Sequence, residues 1–145
     1  MLFRSDGVCN WFFHCQNTKV IGDNSVLEID KVKKGYKRIS DASDDFLERL
    51  GYRKENGIYK ILKPNEDRVA VFCHQGFGIT WLSYLLSLPF NTFGASFDLA
   101  HSSVTILQFE NNADGYTAPR CLCLSDVSHF YKHNLPMQYH NVLNI

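Results

Sequence analysis

One histidine of this chain stands between a strand-like run and a predicted helix, where backbone geometry favours binding of an anion. The run is Val69–Cys73, which is apolar and rich in β-formers, and His74 follows it in a turn of sequence HQGFG. Ile79–Leu88 then carries apolar residues at helical spacing. A helix start offers unpaired N–H groups and the positive end of the helix dipole. The order strand, turn, helix therefore predicts a phosphate site formed by His74 and the amides of Gln75 and Gly76.

The histidines also have simpler interpretations. A histidine after a buried strand is often a structural residue held by hydrogen bonds, and His74 could be one. His101 precedes a second strand-like run and could either line the same site or form a hydrogen bond at the strand end. Arg4, Arg38 and Arg49 could each be phosphate ligands, although solvated arginines are far commoner. Asp98 is a turn or capping residue, or else a proton donor.

The sequence after the turn resembles the C-terminal half of the histidine phosphatase, or phosphoglycerate-mutase-like, superfamily. In that family a Ser-His-Gly-Gly-like turn follows a central strand, and a helix ending in Leu-x-Leu-Pro comes next. The resemblance covers roughly Phe46–Phe130 and is strongest over Val69–Phe109. The downstream features are the segment FDLAHSS (97–103), the strand-like Val104–Phe109, a turn at Asn111–Gly115, a strand at Arg120–Leu124 and the sequence DVSH (126–129).

The resemblance implies an α/β fold, the three-layer α/β/α phosphoglycerate-mutase-like architecture, of which this chain would be the incomplete C-terminal part. It also implies phosphoryl transfer through a phosphohistidine. His74 matches the family's second histidine, which hydrogen-bonds the transferring group. Gln75 stands where the family has a glycine, and a glutamine is disfavoured there if the turn needs a positive φ. His129 falls in a segment that the family places near the mouth of the pocket.

The family's nucleophile lies in an Arg-His-Gly motif, which this sequence does not contain. His14 has neither the arginine nor the glycine beside it, so the nucleophile is not assigned to it. We expect one partial domain over 1–145, with 1–40 as a cap or insertion region, and no catalysis by this chain alone. The function predicted is that of a phosphomonoester hydrolase or a phosphoglycerate-mutase-like enzyme acting on a small phosphorylated substrate. The alternative is a non-catalytic remnant or anion-binding interaction module.

Composition indicates an ordinary globular protein. The chain has 145 residues, is 45% hydrophobic and has a formal net charge of zero, which argues against a nucleic-acid or membrane-surface partner. With no signal-peptide pattern and five cysteines, reduced thiols and a cytoplasmic location are expected. No cofactor is predicted. A metal site is the weaker alternative, because its candidate ligands match no common zinc spacing. Those candidates are Cys9, His14, Cys15, Cys121 and Cys123.

The remaining patterns predict the scaffold. A short helix is expected over Asp44–Leu50, capped by Asp41 or Ser43 and ended by Gly51. The sequence YRKENGIYKIL (52–62) has a turn signal between two strand-like runs and predicts a hairpin. If the Arg-His-Gly strand is absent, the strand Val69–Cys73 should leave an apolar edge that associates with the rest of the protein or with a second copy.

Overall fold

The structure is a computed structural model that describes residues 25–137, with side chains from residue 30 onward. The predictions on Arg4, Cys9, His14 and Cys15 therefore lie outside the described residues. The helices are α1 (Ser25–Arg49), α2 (Gln75–Leu85), α3 (Phe90–Ser96) and α4 (Ser128–His133). The strands are β1 (Tyr52–Glu55), β2 (Ile58–Ile61), β3 (Val104–Gln108), β4 (Tyr116–Thr117) and β5 (Arg120–Asp126).

Helix α1 is much longer than the sequence pattern predicts. Asp41 and Ser43 lie inside it, so the prediction that either caps its start is wrong. The side chains of Ile39, Ser43 and Leu47 are buried and share one face at a spacing of four residues. The end is as predicted, because Gly51 has a φ of +93°. A Cβ there would meet the Lys63 carbonyl oxygen, so this position requires glycine.

The predicted hairpin is confirmed. Strands β1 and β2 pair antiparallel, with Tyr52 opposite Ile61 and Glu55 opposite Ile58. Asn56 and Gly57 form the turn with φ values of 52° and 88°. Two left-handed residues give a turn whose twist matches that of the strands, which is why the Asn-Gly pair predicts a hairpin well.

The strands form two separate antiparallel sheets within residues 25–137. One has the order β1-β2-β4, and the other consists of β3 and β5 alone. Both predicted strands of the second sheet are confirmed, with Ile106 opposite Cys123 and Gln108 opposite Arg120. The general prediction of a chain with helices and strands is therefore confirmed.

The prediction of a strand at Val69–Cys73 is wrong. The chain makes no turn or bend between Pro64 and His74, but no backbone hydrogen bond in the described residues involves 68–73. Side chains there face solvent: Val69 is 50% exposed and Phe72 is 96% exposed. β-Formers become a strand only when another strand completes the ladder, and within residues 25–137 none lies beside this segment.

Helix α2 is the centre of the packing. It contributes buried residues to each of three apolar clusters, through Leu85, Ile79 with Leu82, and Phe77. The first cluster joins it to α1 and the hairpin, and the second joins it to α3 and to Leu99. Its position is therefore fixed from several sides, and the N-terminal end that carries His74 is fixed with it.

Candidate functional site

His74 is the N-cap residue of α2. Its backbone is extended, with φ −80° and ψ 157°, and its carbonyl oxygen accepts the first helical hydrogen bond from Gly78 at 2.9 Å. The helix thus begins four residues earlier than predicted, so the amides of Gln75 and Gly76 belong to its first turn. Those amides have no intrahelical acceptor. No acidic residue occupies this turn and the His74 side chain does not cap it, an arrangement that favours an anion.

Glutamine is well accommodated at position 75. The residue is helical and is not among those with a positive φ, so the absence of a glycine causes no strain. Its side-chain Nε2 donates to Oδ1 of Asp98, and that same oxygen accepts the Leu99 N–H at 2.9 Å. Asp98 is therefore a turn-capping residue that connects the start of α2 to the following loop. Because Asp98 contacts Gln75, its negative charge should oppose binding of an anion at the start of α2.

Gly78 allows three segments to approach closely. A Cβ at this position would lie 3.0 Å from Cδ1 of Leu99 and 3.6 Å from Sγ of Cys73. Since contacts of 3.0 Å are tighter than packed side chains normally accept, glycine here keeps the residue before His74 against α2.

A cavity of about 1170 Å³ opens beside the start of α2. Three of the predicted site residues, His74, Gln75 and His101, are among the residues that line it. Gly76 is buried in the helix and is not on the wall. His129 is not on the wall either: it lies on α4, with its ring edge-on to that of Phe130 at a centroid distance of 4.6 Å.

The loop that carries His101 is held by one hydrogen bond to β5 and one within the loop. The Ala100 N–H donates to Oγ of Ser125 at 2.8 Å, and the Ser103 N–H returns to the Ala100 carbonyl at 3.2 Å. Ser102 closes this turn with a φ of 55°. The loop therefore positions His101 on the cavity wall through backbone contacts.

The cavity wall carries little charge. Asp67 is its one carboxylate among the lining residues that the structure describes, and those residues include no arginine or lysine. Arg49 lies on α1, where its Nε donates to the Asp45 carbonyl at 3.2 Å. Surrounding protein raises the pKa of the Cys73 thiol by desolvation, although the open cavity leaves the residue exposed to water. Because the described wall residues include no cationic side chain, an anion here would depend on neutral hydrogen-bond donors and on the imidazole rings.

Sequence reasoning missed the apolar half of the cavity. Phe46 and Leu47 of α1, Leu50 directly after it and Trp81 of α2 form this part of the wall. Their helical spacing was visible in the sequence, but periodicity shows only that a face is buried and not which segment it faces.

Comparison with protein-family models, with curated proteins and with solved structures found no match. Within residues 25–137, no three histidine, cysteine, aspartate or glutamate side chains are grouped to hold a metal ion. In the same part of the chain, no helix combines the length and apolar character needed to cross a membrane.

Proposed function

We propose that this chain is the C-terminal part of a histidine phosphatase domain and that His74 contacts the phosphoryl group. One observation carries the proposal: His74 and His101 line the same cavity, and His74 begins α2, whose free amides and helix dipole favour an anion. Each imidazole can donate a hydrogen bond to a phosphoryl oxygen, more strongly when protonated.

The substrate class is a small phosphorylated molecule, and the reaction is hydrolysis or transfer of its phosphoryl group through a phosphohistidine. His74 has the role of the second histidine, which orients and stabilises the transferring group. The sequence contains no Arg-His-Gly, so the nucleophile is not assigned to any residue of this chain. We therefore expect binding without turnover.

The binding test is a titration of the chain with phosphate, monitored through the proton resonances of its imidazole rings. The His74 resonances should shift with an affinity in the millimolar range, about −4 kcal/mol. His74→Ala should weaken binding at least fivefold, while the matched change His129→Ala, on α4, should leave it unchanged. Sodium chloride at equal ionic strength should cause no such shift. Equal shifts at both histidines, or none at His74, would contradict the proposal.

The activity test is hydrolysis of p-nitrophenyl phosphate by the parent chain and by His74→Ala. We expect no rate above background in either, because binding groups do not replace a nucleophile. A rate in the parent that the variant loses would contradict this expectation and show that a residue of this chain, either His74 itself or another, attacks phosphorus.

The alternative, a non-catalytic anion-binding module, is favoured by the lack of arginine and lysine among the described wall residues. Transition states of phosphoryl transfer need such cations. The nucleotide sequence that precedes the Met1 codon distinguishes the two. An in-frame Arg-His-Gly would support the phosphatase, and its absence would support the module.

A further inference from the structure

The cavity beside α2 is bordered by one face of a strand and one face of a helix. On the β3 side, alternate residues line it, whereas Ile106 and Gln108, which point to the other face, do not. The lining residues on this side include Thr105, Leu107 and Phe109. Those of α2 recur every three or four residues, which places them on one face of the helix. They are Gln75, Gly78, Trp81, Leu82 and Leu85.

The wall changes from polar to apolar along both elements, and in the same direction. Along α2 the lining residues begin with Gln75 and end with Leu85, and along the β3 side they begin with the loop 101–103 and end with Phe109. Gln75 donates to Asp98, just before that loop, so the two polar ends lie together. Leu85 and Phe109 pack in the same apolar cluster, so the two apolar ends do as well. From Gln75 to Leu85 the helix rises about 15 Å, which is the distance between the two ends of the cavity.

Polar groups at the apolar end are already paired within the chain. Asn65 donates through Nδ2 to the Leu50 carbonyl at 2.9 Å, and its Oδ1 accepts the Asp67 N–H at 2.6 Å. The Tyr52 hydroxyl donates to the Asn65 carbonyl at 3.3 Å. The other lining residues that surround this end are aliphatic or aromatic, namely Phe46, Leu47, Leu50, Leu85, Leu107 and Phe109. Since a bound water needs several polar partners, an apolar occupant is favoured there over water.

A phosphate ion alone would fill only a small part of this space. The cavity has a volume of about 1170 Å³, and pockets that enclose whole small organic molecules measure about 300–1000 Å³. We propose that the cavity binds an organic phosphate whose body is a hydrocarbon, with the phosphate at His74 and the body lying along α2 towards Leu85. The position of the phosphate rests on the proposed function, whereas the nature of the body rests on the walls of the cavity.

Two other kinds of body fit the walls poorly. A sugar would bury its hydroxyl groups at an end where the polar groups named above already have partners, and unpaired buried hydroxyls are costly. A body with a second acidic group would bring a negative charge to a wall whose described residues include Asp67 but no arginine or lysine. A hydrocarbon body meets neither cost, so it is the one substrate class that suits both ends of the cavity.

The first test measures how affinity depends on the length of the hydrocarbon. Methyl, butyl and hexyl phosphate are titrated into the chain while the His74 imidazole resonances are observed. Affinity should rise about two- to fourfold for each added methylene. Glucose 6-phosphate, which also has six carbons, should bind no more tightly than methyl phosphate. Equal affinities for methyl and hexyl phosphate would overturn this inference and leave the phosphate site intact, whereas no shift at His74 with any probe, inorganic phosphate included, would overturn the proposed function and this inference with it.

The second test locates the hydrocarbon through a thiol. Cys73 is exposed and lines the cavity, whereas Cys121 is exposed on β5 and does not line it. Saturating hexyl phosphate should slow alkylation of Cys73 by iodoacetamide at least fivefold and leave Cys121 unchanged, with both rates read by mass spectrometry of the digested chain. Equal slowing at both thiols would indicate non-specific binding and overturn the inference. Slow alkylation of Cys73 in the free chain that hexyl phosphate does not alter would show that protein already fills the cavity, which would also overturn it.

Neighbouring residues of β3 provide a matched pair of variants. Leu107 lines the cavity and Ile106 does not. Leu107→Ala should weaken binding of hexyl phosphate at least fivefold and that of methyl phosphate less than twofold, while Ile106→Ala should leave both unchanged. Val71→Ser changes a wall residue in a segment that has no β-ladder, so it should weaken hexyl phosphate at least threefold without altering the melting temperature. Equal weakening of methyl and hexyl phosphate in the two wall variants would show that the wall does not contact the hydrocarbon and would overturn the inference.

Discussion

Two regions of this molecule differ sharply in how they bury apolar side chains. In the packed region, formed by α1, the β1–β2 hairpin and α2, Tyr59 is 0% exposed and its ring meets Phe109 edge-on at 5.3 Å. In the open region, formed by 68–73 with β3 and β5, Phe72 is 96% exposed. Both regions contain large apolar side chains. The difference shows that helices and a hairpin complete their own hydrogen bonds, whereas a lone strand-like segment needs a partner before it can bury anything.

Polar contacts reinforce the packed region. Lys54 of β1 donates to the Tyr84 carbonyl near the end of α2, and its Nζ lies 3.7 Å from the centroid of the Tyr84 ring. The Tyr84 hydroxyl donates to Asp44 of α1 at 2.7 Å. These contacts connect the hairpin, α2 and α1, and burial lowers the pKa of Lys54.

Truncating an aromatic side chain in each region should give the largest contrast. Tyr59→Ala should lower the free energy of unfolding by about 3–5 kcal/mol, because it leaves a cavity in the packed region. Phe72→Ala should change it by no more than about 0.5 kcal/mol, since solvent already surrounds that ring. Urea denaturation at neutral pH measures both. Equal losses would show that the open region is packed after all.

Two glycine substitutions should give the next largest difference. In Gly51→Ala the φ of +93° costs about 1–3 kcal/mol of backbone strain. The added Cβ also collides with the Lys63 carbonyl, which increases the loss of stability. Gly115→Ala has a φ of +78° but nothing within 4 Å, so only the conformational cost of about 1–2 kcal/mol remains. Thermal unfolding of the two variants beside the parent provides the comparison. A greater loss at Gly115 would contradict the close approach at Gly51.

High pH should destabilise the packed region. Burial raises the pKa values of Tyr36, Tyr59 and Tyr84 above 10.0, so these hydroxyls hold their protons longer in the folded chain than in the unfolded one. Their contribution to stability is fully present below pH 10 and is lost as the pH rises above it. Lys54 acts in the opposite direction, because its pKa is lowered, but it is one group against these three tyrosines and Tyr52, whose pKa burial also raises.

The measurement is the unfolding free energy in urea at intervals from pH 8 to pH 11. We expect little change to pH 9.5 and a progressive loss above pH 10. Tyr84→Phe should reduce the steepness of that loss. Tyr131→Phe, at a side chain that is 83% exposed, is the control and should not. A stability that rises above pH 10 would mean that Lys54 outweighs the tyrosines.

The smallest expected effect concerns the charge of Asp98, which is hydrogen-bonded to Gln75 at the start of α2. Asp98→Asn keeps an oxygen for Gln75 and for the Leu99 amide but removes the negative charge near the start of α2. Phosphate affinity should rise about two- to fivefold, the equivalent of about 0.4–1 kcal/mol. Asp41→Asn, whose carboxylate pairs with Lys37 on α1, is the matched control and should leave affinity unchanged. The same increase in both variants would indicate a general charge effect.

Sequence patterns over a few neighbouring residues predicted several secondary-structure elements correctly. Asn56-Gly57 predicted the hairpin because both residues tolerate the left-handed backbone that its turn requires. Gly51 predicted the end of α1 for a similar reason. The start of α1 was missed because the polar and lysine-rich stretch over 30–37 gives a weak periodic signal. The helix extends towards the N-terminus into this stretch from the turns that bury Ile39, Ser43 and Leu47.

Tertiary structure alone decided the open region. The β-forming residues Val69–Cys73 favour an extended conformation, but a β-ladder needs a second strand. Within residues 25–137 no strand pairs with this segment. His74 and His101 are 27 positions apart in the printed sequence, and only the packing of α2 against the loop after α3 brings them to one cavity. The sequence determines which residues can cap a helix or turn a chain, because those are interactions between near neighbours. Which distant surfaces meet, and which are left open, depends on how every element packs at once.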